Sequence, residues 1–181
     1  MAATAAARCR CDIDRGGMRL STVLHSVWFP TPLGPMLAIA DDEALVLLEF
    51  EGRRGLEREL ERMRAKHEIR DGRTAPIDQI EREMGEYFAG RSSAFATPFR
   101  LDGTDFQLGV WRRLLLIPPG QTITYLQLAE AVGNPRGFRA VAQANGANRL
   151  AVVVPCHRVV NTGGGLGGYG GGLDRKRWLL E

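Results

Sequence analysis

Residues 151–160 constrain the fold of this chain more than any other segment. The run 151–154, Ala-Val-Val-Val, is apolar and mostly β-branched, which is typical of a short buried strand. Pro155 cannot donate a hydrogen bond to a sheet, so the strand is predicted to end there. Cys156 is therefore expected at the point where a rigid buried element gives way to a loop.

This segment alone leaves two interpretations of Cys156. His157 and Arg158 put two potential positive charges beside the thiol, and positive charge favours the thiolate, which is the nucleophilic form. The alternative is a buried structural cysteine, because free cysteine is among the most buried residue types. The rest of the chain has to separate these two interpretations.

Composition indicates an ordinary globular protein. The chain has 181 residues, of which 44% are hydrophobic and 25% charged, enough for one large domain or two small ones. No apolar run approaches the roughly 20 residues that span a bilayer, so we expect no membrane association. Three cysteines give no disulfide framework, which favours a reducing, cytoplasmic setting. Cys9 and Cys11 with His25 could form a zinc site, but we favour no metal.

The basic side chains are unevenly distributed. The formal net charge is +3, yet residues 101–181 hold nine Lys and Arg against five Asp and Glu. The excess falls on the half that carries Cys156 and suggests a polyanionic partner. A chance imbalance on a solvated surface is the alternative.

We predict three segments along the chain. Residues 1–20 are expected to be a disordered extension, residues 21–95 a small α/β domain, and residues 96–181 a mainly helical domain. Within the second segment, hydrophobic patterns and turn residues predict strands at 36–40 and 44–50 and helices at 55–67 and 77–89, with a short strand at 95–101.

The C-terminal segment contains two capping boxes, Thr104 with Gln107 and Thr124 with Gln127. Each predicts the start of a helix, and the helix that begins after Thr124 should end at Gly133. A further helix should begin near Arg136. Two short helices joined by a tight turn are typical of a helix-turn-helix motif, although an ordinary helical hairpin has the same pattern.

The second helix of this pair, from about Arg136 to Ala144, has features that suit a nucleic-acid backbone. Its positive charges are Arg136 and Arg139, and its small residues would permit a close approach. The small residues are Gly137, Ala140 and Ala144. Phe138, Val141 and Ala142 are predicted to face inward.

A glycine-rich stretch follows the cysteine. Residues 163–172 contain eight glycines and one large aromatic side chain, Tyr169. A chance match to a dinucleotide-binding fingerprint is present, but no strand–helix–strand unit surrounds it. These glycines better suit a tight loop that passes close to a ligand.

With these motifs together, residues 104–181 resemble the O6-alkylguanine-DNA alkyltransferases, also called methylated-DNA–protein-cysteine methyltransferases. The N-terminal half resembles that family's ribonuclease-H-like domain in outline. The matching blocks are Phe106-Gln107, Val110-Trp111, Ile117-Pro118, Tyr125, Leu128-Ala129, Arg139-Ala140-Val141, Ala144-Asn145-Gly146, Asn148, Pro155-Cys156-His157-Arg158-Val159-Val160, Gly168-Tyr169, Gly171-Gly172, Arg175-Lys176 and Trp178-Leu179-Leu180.

The resemblance implies a single-turnover repair reaction without a cofactor. Cys156 would take the alkyl group from guanine O6, and from thymine O4 as well, and the protein would be consumed. His157 would deprotonate the thiol through a water, and Tyr125 would donate a proton toward the base. Asn148 would support the site.

The resemblance also implies how a lesion would be held. A base pocket would include Val159, Tyr169 and Gly170. Arg139 would insert into the duplex from the minor groove as the damaged nucleotide flips out. The expected partner is double-stranded DNA, and the protein is expected to bind it as a monomer. The expected location is the nucleoid of a prokaryote or the nucleus of a eukaryote.

Two alternatives stay open. The family's glutamate that orients the histidine would fall two positions past Glu181, so a protein that binds lesions with weak or no transfer is one alternative. A thiol hydrolase built on Cys156 and His157 is the other, although adjacent residues seldom aim at each other as nucleophile and base.

Overall fold

The computed structural model describes residues 23–181, which form two compact units. The first holds the described residues up to Glu51 together with Gly55–Leu101, and the second holds Gly52–Arg54 and Asp102–Glu181. Cys9, Cys11 and the predicted extension 1–20 lie outside the described residues.

A four-stranded sheet organises the first unit, in the order β3-β2-β1-β4. Strands β1 and β3 run antiparallel to β2, and β4 runs parallel to β1. Its elements are β1 (Leu24–Phe29), β2 (Met36–Ala40), β3 (Leu45–Phe50), α1 (Leu56–Arg64), β4 (Ile69–Asp71) and α2 (Ala75–Phe88).

The core of this unit explains why these elements form. Every residue of β2 is buried, as expected for a central strand. Helix α1 is amphipathic, and its apolar stripe of Leu56, Leu60 and Met63 packs on side chains from β1, β2 and β3. The predictions of β2, β3, α1 and α2 are therefore confirmed to within a few residues.

One prediction about the sheet was wrong, and one strand was missed. Residues 95–101 form no strand, but make a single bridge between Phe99 and Leu45. Pro98 lacks an N–H and offers only its carbonyl, which Leu45 N reaches at 2.9 Å. Strand β4 was missed, because its three residues are too few to show a pattern of alternation.

The second unit is mainly helical. Its elements are α3 (Asp105–Leu114), β5 (Ile123–Thr124), α4 (Tyr125–Ala131), α5 (Phe138–Gly146), a 3-10 turn (Cys156–Arg158), β6 (Val159–Val160) and α6 (Leu173–Leu180). Both predicted capping boxes are present, Thr104 with Gln107 at α3 and Thr124 with Gln127 at α4. Each box satisfies two backbone donors that a helix would otherwise leave unpaired.

The apolar run before Cys156 is buried, as predicted, but it is not a strand. Residues 151–154 form consecutive turns, and Val154 N donates to Leu150 O at 2.9 Å. Val152 has a φ of 70°, a left-handed conformation that β-branched residues rarely adopt. A short apolar run shows burial but does not distinguish a strand from packed turns.

Helix α5 also differs from its prediction. It begins at Phe138, two residues later than expected, and Phe138 faces solvent instead of the core. Val141 is fully buried, as predicted. No helix within residues 23–181 is both long and apolar enough to cross a membrane.

Candidate active site

Cys156 opens the 3-10 turn that links the buried turns to β6. Cys156 is buried, and its backbone N–H donates to Val154 O at 2.7 Å. The side-chain amide Nδ2 of Asn148 lies 3.2 Å from Cys156 Sγ. The thiol is thus fixed by its backbone on one side and by an amide donor on the other.

Asn148 also holds the loop that carries the thiol. Its Nδ2 donates to Leu150 O at 3.2 Å and to Val154 O at 3.0 Å, and its Oδ1 accepts from Leu150 N at 3.0 Å. All of these groups are buried, where an unpaired polar group is costly. This network explains how the chain keeps Val152 in a strained conformation, because the amide closes the loop around it.

The last turn of α5 is joined to the same loop. Asn145 Nδ2 donates to Cys156 O at 3.2 Å, and Trp111 Nε1 from α3 donates to Ala144 O at 2.8 Å. The helix predicted to contact nucleic acid therefore ends against the candidate nucleophile. Sequence reasoning missed Asn145, although it stands in a block that carried the resemblance.

A short parallel pairing of β5 with β6 places Tyr125 in the site. Ile123 pairs with Val159 and Thr124 with Val160, so Tyr125 emerges beside the cysteine turn. Burial raises the pKa of the Tyr125 phenol, and the negative charge of Cys156 raises it further. The phenol therefore stays protonated and able to donate near neutral pH.

The glycine-rich loop passes close to this phenol. Tyr125 OH donates to Gly168 O at 3.3 Å. Gly167 has a φ of 69°, and a Cβ there would lie 2.9 Å from Tyr125 Cε2. Glycine is therefore required at 167 by both backbone conformation and space. Val159 is fully buried, whereas Tyr169 and Gly170 are partly exposed at this wall.

Lys176 from α6 is fully buried beside the cysteine turn. Its Nζ donates to Val159 O at 2.6 Å and to Gly168 O at 3.1 Å. Burial lowers the pKa of Lys176 to about 8, against the opposing influence of the Cys156 charge. Sequence reasoning gave this lysine no role, because it stands in a charged run that looks like a solvated helix face.

His157 is also fully buried. Burial, and then the charges of Arg158 and Lys176, lowers its pKa to about 3, so the imidazole is neutral near pH 7. Neither ring nitrogen has a hydrogen-bond partner among residues 23–181. Arg158 donates to Ile117 O at 2.7 Å and so anchors the turn to the end of α3.

Residues 52–54 belong to the second unit and form hydrogen bonds to the segments around the site. The Nη2 of buried Arg53 donates to Gly146 O at 3.2 Å and to Asn148 O at 3.1 Å. Arg54 N donates to Gly170 O at 3.1 Å, and a Cβ on Gly170 would lie 3.4 Å from Arg53 Cγ. No sequence signal predicted this, because the hydrogen-bonded partners of Arg53 lie 93 and 95 positions away and that of Arg54 lies farther still.

The predicted DNA-contacting residues divide between surface and interior. Arg136, Arg139 and Ala140 are exposed, whereas Ala144 is buried and faces the interior of the unit. We therefore do not retain Ala144 as a contact residue. A Cβ on Gly137 would overlap Asn134 Nδ2, so any larger residue there would require the Asn134 side chain to move.

Among residues 23–181, no group of three or more His, Cys, Asp or Glu side chains is placed to hold a metal ion. The residues predicted for chemistry, Cys156, Tyr125 and Asn148, converge on one site. His157 lies within it, but without a direct hydrogen bond to the thiol.

Comparison with known proteins gives a consistent result over both units. Residues 105–181 match the family profile described as 6-O-methylguanine DNA methyltransferase, DNA binding domain, and residues 24–101 match that family's ribonuclease-like domain.

Individual relatives agree with the family match. A methylated-DNA–protein-cysteine methyltransferase from Mycobacterium tuberculosis is 40% identical over 88% of this chain and 92% of its own length. One from Salmonella typhimurium is 42% identical over 83% and 90%. The crystal structure of Mycobacterium tuberculosis OGT in complex with DNA is 36% identical, with a TM-score of 0.72, and covers 87% of this chain and 90% of that one.

Proposed function

This chain belongs to the 6-O-methylguanine DNA methyltransferase family, and we infer that it repairs DNA by taking an alkyl group from guanine O6 onto Cys156. The side chains around Cys156 are the observation that supports it as the alkyl acceptor. The one cysteine among the described residues is held by a buried amide and electrostatically coupled to both a phenol and a lysine.

The proposed step balances without a cofactor. The Cys156 thiolate attacks the alkyl carbon, a C–S bond forms, and the carbon–oxygen bond to guanine breaks. The electron pair passes to the base, which takes a proton and leaves as neutral guanine. The product thioether does not release the alkyl group, so each protein molecule reacts once.

We assign the proton movements to two side chains. Tyr125 donates toward the base ring as charge develops there, in keeping with its raised pKa. Neutral His157 receives the thiol proton through a water. The Lys176 ammonium then offsets the negative charge on sulfur, since burial strengthens the attraction between the two.

Backbone groups would recognise the flipped base. The carbonyls of Cys156 and Val159 accept from its exocyclic amine, and the Gly170 N–H faces O6. Asn145 and Lys176 already donate to those two carbonyls, so they fix the direction in which the remaining lone pairs point.

We propose double-stranded DNA as the partner, bound by a monomer through its minor groove. Arg139 enters the stack where the damaged nucleotide leaves it, and Arg136 contacts phosphate. The exposure of both side chains supports these roles. Such a protein acts where the DNA lies, in the nucleoid of a prokaryote or the nucleus of a eukaryote.

The test is the mass of the reacted protein. Incubation with a duplex that carries O6-methylguanine should add one methyl group to the peptide containing Cys156. The Cys156→Ser variant, with nearly the same volume, should gain none. An unmodified but folded wild-type chain would contradict the proposal. A parallel O4-methylthymine duplex tests the second substrate.

One observation favours a second candidate, a protein that binds lesions with weak transfer. A histidine with a pKa of about 3 is a poor proton acceptor, so thiolate formation could limit the reaction. Tight binding of the lesion without a mass change would support this candidate. A thiol hydrolase is not favoured, because neither His157 nitrogen is bonded to the thiol or to an orienting side chain among the described residues.

A further inference from the structure

The exposed first turn of α5 carries an aromatic side chain, Phe138, that has no role in the proposed repair reaction. Phe138 is the first residue of the helix and is 49% exposed, whereas Val141 on the next turn is fully buried. The phenyl ring therefore projects from the helix end into solvent. Single exposed apolar side chains are common on protein surfaces, so the position of this ring on a candidate DNA-binding surface, and not its exposure alone, suggests a function.

The ring is paired with the inserting arginine. The guanidinium carbon of Arg139 lies 5.7 Å from the centroid of the Phe138 ring, which is within the range of a cation–π contact. Gly137 precedes this pair and Ala140 follows it. The small neighbours leave the aromatic and cationic groups exposed on this turn.

Such a pair suits the chemistry of an opened duplex. A cation meets the phosphates and polar base edges, while a flat apolar ring covers the face of a base that has lost its stacking partner. Proteins that bend DNA from the minor groove often insert apolar side chains between base steps and so unstack them. The planar guanidinium of an arginine can itself stack on a base, and an adjacent phenyl ring adds a second stacking surface.

We infer that Phe138 is a second inserting residue, which enters the minor groove beside Arg139 and wedges apart the base step next to the flipped nucleotide. The inference rests on the proposed function, because it requires a duplex lesion as substrate. Its role is positioning rather than catalytic, since Phe138 acts on the neighbouring bases and not on the reacting atoms.

Single-turnover rates on two substrates test the inference. We expect Phe138→Ala to slow transfer from an O6-methylguanine duplex about tenfold, because a base loses its aromatic stacking partner. Reaction with free O6-benzylguanine needs no unstacking and should keep its rate. Phe138→Leu, which retains an apolar wedge, should fall between wild type and alanine.

Leu116→Ala is the matched control, because Leu116 is an apolar side chain of the same unit and is 70% exposed. It should match wild type on both substrates. The inference is overturned if Phe138→Ala reacts with the duplex at the wild-type rate. It is also overturned if both substrates slow by the same factor, since that pattern would indicate a general structural defect.

A direct measurement of unstacking separates this inference from the proposed function. In the Cys156→Ser chain, which cannot react, binding to a duplex with 2-aminopurine beside the lesion should raise its fluorescence. Adding Phe138→Ala should reduce that rise, and an unchanged rise would contradict the inference. If the wild-type chain gains no methyl group, the proposed function fails, while this fluorescence comparison still reports on Phe138.

Discussion

The interior around Cys156 and the exposed first turn of α5 lie in one unit but are built in opposite ways. The interior fixes the thiol with buried hydrogen bonds from Asn148, Asn145 and Lys176. The exposed turn begins at Gly137, which provides no side-chain cap, and its Phe138 and Arg139 side chains contact each other. The difference suggests that the interior sets the chemistry and the stability, while the turn sets access to a duplex.

Asn148→Ala gives the largest expected effect, because one side chain serves four buried groups. Losing it should cost roughly 3 kcal/mol of unfolding free energy, since the buried Leu150 N–H loses its acceptor and two buried carbonyls each lose one of their two donors. Transfer should fall at least about a hundredfold on duplex and on free base alike. Urea unfolding and single-turnover rates measure both effects. Gln143→Ala, an exposed amide on α5, is the control; equal behaviour of the two variants would contradict the contrast between interior and surface.

His157 should make the interior sensitive to acid. Its folded pKa of about 3 lies below its ordinary value of 6.5, so between these values the unfolded chain binds more protons. Stability should therefore fall as the pH drops from 6.5 toward 3, by roughly 3 kcal/mol near pH 4. His157→Gln should flatten this dependence in urea titrations. His67→Gln, at a partly buried histidine of the first unit, should leave it in place.

Arg139→Ala tests the exposed turn. It should slow repair of a duplex lesion about thirtyfold, because flipping would lose the side chain that we propose inserts into the stack, and leave free O6-benzylguanine almost unaffected. Combining it with Phe138→Ala should cost less than the sum of the two single changes, since the residues are in contact. Strict additivity, or equal losses on both substrates, would show that the turn does not act as proposed.

Lys176→Met should give the smallest change in rate, a fall of about tenfold on both substrates. The variant keeps the length of the side chain but removes the charge beside the thiolate and the donor to Val159 O. Arg177→Met is the control. Arg177 lies next to Lys176 on α6, but it is exposed and pairs with Asp174. A loss confined to duplex substrate would group Lys176 with the exposed turn of α5 instead of the interior.

Local signals in the sequence predicted much of this structure. Capping boxes located α3 and α4 because they depend on residues three positions apart. The motif around Cys156 located the candidate nucleophile, and the resemblance added Tyr125 and Asn148. What these signals share is that each lies within a short window of the chain.

Other features depended on contacts that no short window contains. Arg53 reaches Asn148 across 95 positions, and Lys176 is buried only because α6 returns to the cysteine turn. Phe138 was expected inside because its spacing fits an apolar stripe, but the stripe begins at Val141. The turns before Cys156 were mistaken for a strand because burial and β-branching do not reveal the hydrogen-bond pattern.

The position of Lys176 has a consequence for the protein after it has reacted. In its ionised form Cys156 is a counterion for this buried ammonium, but a thioether carries no charge. Alkyl transfer therefore leaves the interior one negative charge short. The reacted chain should release the Lys176 proton at a lower pH than the unreacted thiolate form, which an NMR titration of the lysine can measure. The protonation state of Lys176 would therefore report whether Cys156 has already been alkylated.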